Sequence, residues 1–474
     1  MPELAQVLSA LAPALGDNYS VFLQIVKGTY CVSSGGVTMK NMARWTDKGG
    51  SYRTIQRFFS RKINWLELNT LLLLNFWLTT SNPGRYVLAV DEVVEDKAGK
   101  HTYGVNWFFS SIAGKVIRAI SHHVVTLVDT EKERSFVLKS QQTVKGDEKV
   151  PKRKKGNGKK PGKKKKGGLV PKKSKSPKNN PSNPNGAKGQ AGRPKGSLNK
   201  QNVKEDSLLY NSFEGLLRAV LPLLSSIGLG IRYVLGDGAY GNKTCVLIVR
   251  ELGLELISKL NRNTALFLPG QGPYPGKGRH KKYGEKLDCQ KLSNEYLVKT
   301  ETDNEEKTQL KTYQVKGVWT KHMPCLLNVV ILVKTDLQSK KVGRVILFST
   351  DLDLDAATLV RYYSLRFHIE FNFRDAKQYF GLSDLKNVKE QQVENAVNLA
   401  FFMDNLSLIL IEEAKELWQS ENVSIQDLKA QFRADKYLRD ILNALELDEK
   451  TILNKPEIAA IRQIGAIHQH KIAA

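Results

Sequence analysis

Cysteine is scarce in this sequence. Cys31, Cys245, Cys289 and Cys325 are its four cysteines in 474 residues. They offer no CxxC pair for zinc and no spacing that reads as a disulfide framework. Such usage fits a reducing compartment. The eight histidines include the pair His122-His123 but no HExxH run, so a structural zinc is not expected. Long apolar runs are missing as well. No stretch reaches the ~18 consecutive apolar residues of a membrane span, and the longest, 71–78, is interrupted by Asn75. The opening Met1-Pro2-Glu3-Leu4 has an early acid and no basic cluster, unlike a secretory signal. The expected location is the cytoplasm, with no membrane partner.

Acid is in short supply too. Lys and Arg number 73 against 47 Asp and Glu, a formal net of +26. An excess of this size points to a polyanionic partner. The charge is uneven: residues 151–200 hold 18 Lys or Arg and no acid. Without them the net is 26 − 18 = +8, so the remainder is still basic. The surrounding tract, 145–204, is Lys, Gly, Pro, Ser and Asn with almost no apolar content. It cannot offset its ordering entropy and reads as disordered. Near its end, Gly192-Arg193-Pro194-Lys195-Gly196 resembles an AT-hook core, a short extended segment with Arg193 and Lys195 for a narrow minor groove. In so biased a tract, composition alone can also produce it.

The rest of the chain divides by period. Residues 1–80 read as helical. After the breaker Gly49-Gly50, Ser51 is placed to cap a helix reaching Arg61. Arg53, Arg57 and Arg61 recur every four residues on one stripe, opposite Ile55, Phe58 and Phe59. This is either the reading helix of a helix-turn-helix or an amphipathic helix with a solvated arginine face. Residues 85–130 turn to β: a short apolar strand ending at Asp91, then a hairpin from runs 103–112 and 116–128 around Ala113-Gly114-Lys115. A helix is expected over 208–223, a strand over 232–235 ending in Gly236-Asp237-Gly238, a helix over 243–252 and a strand over 254–260. Residues 262–350 read as a β-rich insertion, and 355–380 as one long helix. Further helices are expected over 391–419 and 425–447.

Two aspartates, Asp91 and Asp237, each follow an apolar strand. A carboxylate there projects from a sheet edge where ligands collect, although turn and cap aspartates are also common in such places. The sharper feature lies in the long predicted helix. Tyr363, Arg366, Glu370 and Lys377 are spaced by 3, 4 and 7 residues, so at ~100° per residue they return to one bearing. Phe367, Ile369, Phe371 and Phe373 fill the other bearings. A polar stripe on a helix this apolar needs a partner, unless it is a surface row of ion pairs. Asp351, Asp353 and Asp355 alternate like a metal cluster but read as loop and cap residues. Asp96 ranks well below Asp91 as a strand-borne acid.

The pattern Tyr-(2)-Arg-(3)-Glu-(6)-Lys at Tyr363, Arg366, Glu370 and Lys377 resembles the signature of bacterial insertion-sequence transposases of the Asp-Asp-Glu cut-and-paste class. Asp91 and the Gly-Asp-Gly-Ala-Tyr-Gly run at 236–241 look like that family's first and second aspartates. The resemblance covers roughly 85–400 without the lysine tract. It implies an α/β, ribonuclease-H-like catalytic core built from residues 81–144, 205–261 and 351–390. A β-rich insertion at 262–350 would interrupt the core. A helical DNA-binding domain over 1–80 would precede it, and a helical region over 391–474 would follow. Asp91, Asp237 and Glu370 would be the catalytic acids and would ligate two Mg²⁺ ions, with Mn²⁺ able to substitute; hard cations prefer carboxylate oxygens. Tyr363, Arg366 and Lys377 would grip DNA phosphates, and Trp319 would stack on a flipped base if it is not simply a core tryptophan. The expected partners are double-stranded DNA, as transposon ends and target, and a second copy of the chain in a homodimeric synaptic complex. The setting would be the prokaryotic nucleoid. An inactive, domesticated DNA-binding relative is disfavoured by the intact acids, and a nuclease of the same fold by the Tyr/Arg/Lys stripe.

One prediction follows from the charge distribution. Deleting residues 151–200 should flatten the fall of DNA affinity between about 50 and 200 mM salt, because fewer counterions are released. Binding isotherms at several salt concentrations measure the slope; an unchanged slope would mean the tract does not touch DNA.

Overall fold

Alternation of buried side chains along one long strand organises the molecule. The structure is a computed structural model and describes residues 4–47, 49–78, 85–146, 206–270, 281–453 and 455–468. In β1 (Tyr86–Asp96) the first five residues are buried. Val87 and Ala89 join one apolar cluster, while Leu88 and Val90 join the other. Both faces of the strand are therefore covered, as its apolar sequence demands.

Before β1 come α1 (Leu4–Ser9), α2 (Ala12–Leu15), α3 (Tyr19–Cys31), α4 (Met39–Met42), α5 (Tyr52–Phe59) and α6 (Trp65–Leu72). After it come β2 (Asn106–Ser110), β3 (Lys115–Asp129), β4 (Arg134–Gln142), α7 (Asp206–Ser226), β5 (Tyr233–Gly236), α8 (Lys243–Glu251) and β6 (Glu255–Leu260). The chain then forms β7 (Phe267–Pro269), β8 (Tyr283–Lys286), β9 (Leu297–Asp303), β10 (Thr308–Val318), β11 (Leu327–Asp336) and β12 (Val342–Ser349). It ends in α9 (Ala356–Leu365), α10 (His368–Phe380), α11 (Glu390–Trp418), α12 (Ile425–Ala444), α13 (Glu449–Leu453) and α14 (Pro456–Arg462).

The main sheet runs β2-β3-β1-β5-β6-β12-β11-β10-β9, with β4 also on β3. The pairs β1–β5 and β5–β6 are parallel and the others antiparallel. This mixed sheet with its helices is compatible with the expected ribonuclease-H-like fold.

The structure corrects several expectations. Residues 262–350 are β-rich as expected, and they join the central sheet: β12 pairs β6, so β9–β12 extend it. Among the described residues, β7 and β8 form a separate two-stranded sheet. Asp91 does not end its strand, because β1 continues on β3 to Asp96. The long helix is two helices, α9 and α10. At the junction the N–H groups of Ile369 and Glu370 bond the carbonyls of Arg366 and Phe367, three residues back, a tightened turn that interrupts the α-helical ladder. Helix α5 stops at Phe59, leaving Arg61 beyond its end. Strand β4 has no counterpart in the sequence reading.

Apolar side chains between Leu4 and Leu73 contribute to the same cluster as the sheet and α10–α12. Residues 1–145 and 207–474 make up one compact unit, and 146–206 another. Apart from Gly146 and Asp206 the second unit lies outside the described residues, and so do the lysine-rich tract, Arg193 and Lys195.

His122 on β3 is fully buried, and burial, with His123 and Lys97 nearby, pushes its imidazole down to about 3. The folded state thus holds it neutral. Below about pH 6.5 the unfolded chain takes up a proton that the folded chain refuses, so stability present above that pH is lost as pH falls. His122→Leu should remove this contribution, which reaches roughly 3 kcal/mol at pH 4. Denaturation at pH 7 and pH 4 for both chains measures the difference.

Candidate active site

The register of two parallel strands decides where the first two acids stand. Leu88, Ala89 and Val90 of β1 pair with Val234, Leu235 and Gly236 of β5. Asp91 and Asp237 are the next residues on these adjacent strands, about 4.8 Å apart in such a sheet. There β5 ends, and β1 goes on with β3, where Asp91 opposes Val124. The two carboxylates flank the point where the strands part, at their carboxyl ends.

Glycine makes the turn after β5. A side chain at Gly236 would put its Cβ 2.7 Å from Cβ of Tyr240, and one at Gly241 would put it 2.5 Å from the carbonyl of Lys259. Asp237 Oδ1 accepts the N–H of Ala239 at 2.8 Å, and the Asp237 carbonyl accepts Ser258 Oγ at 2.6 Å. The loop is thus held against β6.

The third acid arrives from α10. Glu370 lies in the first turn of that helix, where the positive end of the helix favours a carboxylate. Arg366, at the junction with α9, donates from Nη1 to Asp91 Oδ2 at 2.9 Å and from Nη2 to Glu370 Oε1 at 3.0 Å. Its Nε is buried with no hydrogen-bond partner. Tyr363 stands beside it, with the guanidinium carbon 5.9 Å from the ring centroid.

Burial pushes the Asp91 carboxyl up to about 6; the Glu92 N–H and Arg366 oppose this, and the charges of Asp237 and Glu370 add to it. The Tyr363 hydroxyl is also raised, first by burial, with Asp237 and Asp91 adding to it and Arg366 opposing. Five side chains from three separated segments therefore share one electrostatic environment: Asp91, Asp237, Tyr363, Arg366 and Glu370.

As a donor set, three carboxylates suit a hard divalent cation. Among the described residues no group of three or more His, Cys, Asp and Glu is close enough to hold a metal ion; here Arg366 supplies the positive charge between Asp91 and Glu370.

The other sequence candidates are more scattered. Lys377 is tied to Glu95 at 2.5 Å, and Glu95 also accepts Ser383 Oγ at 2.6 Å. Arg53 and Arg57 are exposed on α5, opposite buried Ile55, Phe58 and Phe59. Arg61 bonds Asn18. Half-buried Trp319 pairs with the backbone of Phe267 beside the β7–β8 sheet, with Lys282 Nζ 3.6 Å from its ring centroid. Asp355 caps α9 through the Thr358 N–H, and buried Asp351 accepts from Arg232 and Tyr233.

Sequence reasoning missed the opposite side of β1. There Glu92 accepts Ser121 Oγ, and buried His123, opposite Glu92, lies 3.0 Å from the Tyr240 hydroxyl. The pair joins β3 to the Asp237 loop. The residues were visible as His122-His123 and the Gly-Asp-Gly-Ala-Tyr-Gly run, but only strand register brings them together.

Comparison with known families matches residues 22–320, more than half the chain, to the DDE superfamily endonucleases. The match includes Asp91 and Asp237 and ends before α9, so Tyr363, Arg366, Glu370 and Lys377 lie beyond it. No curated protein matches the chain.

The loop geometry generates a stability test. Gly241→Ala should destabilise the fold by about 1–3 kcal/mol, since its Cβ meets a backbone carbonyl. Gly230→Ala, with nothing within 4 Å of the new Cβ, should change stability by less than about 0.5 kcal/mol. Thermal melts of the two variants check the contrast.

Proposed function

We propose that this chain, which belongs to the DDE superfamily endonuclease family, is a DNA transposase that binds the inverted-repeat ends of its element, cuts there and joins the 3′-OH ends to target DNA. One observation carries the reading. Asp91 and Glu370 are joined through Arg366, and Asp237 follows the last paired residue of the strand beside Asp91. Asp91, Asp237 and Glu370 are the residues that would hold magnesium, or manganese in its place. Bound there, two such ions would supply an activated water or 3′-OH and a stabilised leaving oxygen.

The remaining side chains act on the DNA itself. Arg366 presents an N–H with no acceptor, and a phosphate oxygen would satisfy it. Tyr363 offers a hydroxyl beside it, and Lys377 a further cation two turns along α10. A hydrolytic nuclease has no need to hold one particular DNA end, so this set favours transposition. Arg53, Arg57 and Arg61 would contact duplex phosphates away from the acids, as would Arg193 and Lys195. Trp319, with Lys282 over its ring, would stack on a base. In this reading 81–144, 205–261 and 351–390 make the catalytic core, and 1–80 the DNA-binding part. The partner is double-stranded DNA, and two ends call for a homodimer on the nucleoid.

The test uses plasmid DNA carrying the sequences that flank the gene. With Mg²⁺ or Mn²⁺ the chain should cut at the flanks and yield joined products. Asp91→Asn, Asp237→Asn and Glu370→Gln should each lower cutting by at least about a thousandfold while DNA affinity in gel shifts stays within about threefold. Equal loss of binding and cutting would overturn the catalytic assignment. Hydrolysis without joining would leave a nuclease.

A further inference from the structure

Helix α10 is tied to β1 at two places, and the proposed site uses the acid of only the first. At the near end Arg366 Nη1 bonds Asp91 Oδ2 at 2.9 Å. At the far end Lys377 Nζ meets Glu95 Oε1 at 2.5 Å. Asp91, Val93 and Glu95 alternate onto one face of β1. Buried Val93, between the two acids, belongs to the same apolar cluster as Ile369, Phe373 and Ala376 of α10. The spans match. The four residues from Asp91 to Glu95 cover about 13 Å of strand, and the eleven from Arg366 to Lys377 cover about 16 Å of helix. The partners come in the same order on both elements, so helix and strand run in one direction with a cation–carboxylate bond at each end.

Glu95 is not a surface counter-ion. It is 5% exposed, and its second oxygen accepts Ser383 Oγ at 2.6 Å. Ser383 lies just past Gly381, the left-handed residue that caps α10. Lys97, the residue after β1, donates from Nζ to the Ser383 carbonyl at 2.8 Å. One carboxylate therefore holds the last turn of α10 and the chain leaving it. In the proposed reaction Asp91 and Arg366 take other partners, so the near tie is given up when DNA is cut. The far tie is not. An ammonium has three N–H groups, so Lys377 can keep Glu95 and still meet a phosphate.

We propose that Glu95 is a positioning residue: by holding Lys377 and Ser383 it keeps α10 in place along β1, and so keeps Glu370 in place relative to Asp91 once Arg366 has let Asp91 go. This rests on the DNA-cutting reading of the acids and adds to it a residue that acts through α10. Glu95→Gln is the informative change, because it keeps the shape and an acceptor for Ser383 but removes the charge that holds Lys377.

The experiment compares the full chain, Glu95→Gln and a stability control, Asp427→Asn, which alters a buried acid of α12 bonded to Ser424 and His468. Cutting of a duplex carrying the flanking sequences is followed with Mg²⁺ over a range of DNA concentrations, and amide hydrogen exchange is followed in the DNA-free chain. Glu95→Gln should lower the maximal cutting rate by about ten- to a hundredfold and leave the DNA concentration for half-maximal rate within about twofold. Amides of α10 should exchange at least about tenfold faster, while those of 395–405 in α11 stay unchanged. Asp427→Asn should lower the melting temperature without lowering the cutting rate. In Glu95→Gln an unchanged rate, or unchanged exchange over α10, overturns the proposal. So does an equal loss of rate in the control, which would make the effect one of stability alone. A lower half-maximal DNA concentration with the rate kept also overturns it, since Glu95 would then only withhold Lys377 from DNA. A parent chain that cuts no DNA ends the catalytic reading instead, and exchange over α10 still decides whether Glu95 holds that helix.

Discussion

Three residues of parallel pairing between β1 and β5 fix the position of the site. Val90 opposite Gly236 is the last rung, and the two aspartates come next, one on each strand. A one-residue slip would turn one carboxylate to the other face of the sheet. That register is guarded from both sides. Val87, Ala89 and Leu235 lie in the cluster with α9, while Leu88, Val90 and Val234 lie in the cluster with α7 and α8. The Tyr240–His123 contact ties the departing loop back to β3. The geometry of the acids is therefore a by-product of apolar alternation; Gly236 serves it by making room for Tyr240, and Gly241 by letting the loop approach β6.

That placement has an electrostatic cost. Burial disfavours an ionised carboxylate and neighbouring acids add to that, and Asp91 shows both, burial first. Arg366 offsets part of the cost by bridging Asp91 and Glu370, but keeps one N–H unsatisfied. Such an arrangement is built to exchange partners. A phosphate for Arg366 and cations for the carboxylates would each satisfy a group that the protein alone leaves short.

The strands and the acid-bearing turn were legible because their signals are local: apolar runs broken by Gly-Asp-Gly, and a stripe repeating at helical spacing. The stripe was legible even though its helix is broken. Arg366 and Phe367 keep right-handed helical angles, φ −51° and −62°, so the tightened turn moves the bearing only a little. The break itself was not legible, because it follows from packing. α9 belongs to the cluster on β5, β6 and β12, whereas α10 packs on β1 and β4. Strand β4 escaped notice because its sequence, Arg134-Ser135-Phe136-Val137-Leu138-Lys139, shows no clean alternation, and only the helices packed on it bury Phe136, Val137 and Leu138 together. Lys377 was placed on the correct helix, but its contact with Glu95 was not legible. Glu95 lies four residues beyond Asp91 on the same face of β1, and its reach to Lys377 depends on how α10 lies along that strand.

Helix α11 explains how the N-terminal helices are joined to this site. Its buried Asn395 donates to the carbonyls of Phe59 and Arg61 at 2.8 and 2.7 Å and accepts Trp65 Nε1 at 2.8 Å. Ten residues on, Asn405 accepts the Val137 N–H of β4 and donates to its carbonyl, both at 2.8 Å, and also reaches Asn69. Each bond contributes about 1 kcal/mol net, but breaking one leaves a buried polar group unpaired, which costs more. The chain of contacts runs from the end of α5 through α11 to β4, β3 and β1. Arg53 and Arg57 on the outer face of α5 are thereby set at a fixed distance from Asp91 within one core. Any ligand held at α5 would then be registered against the acids by the fold itself.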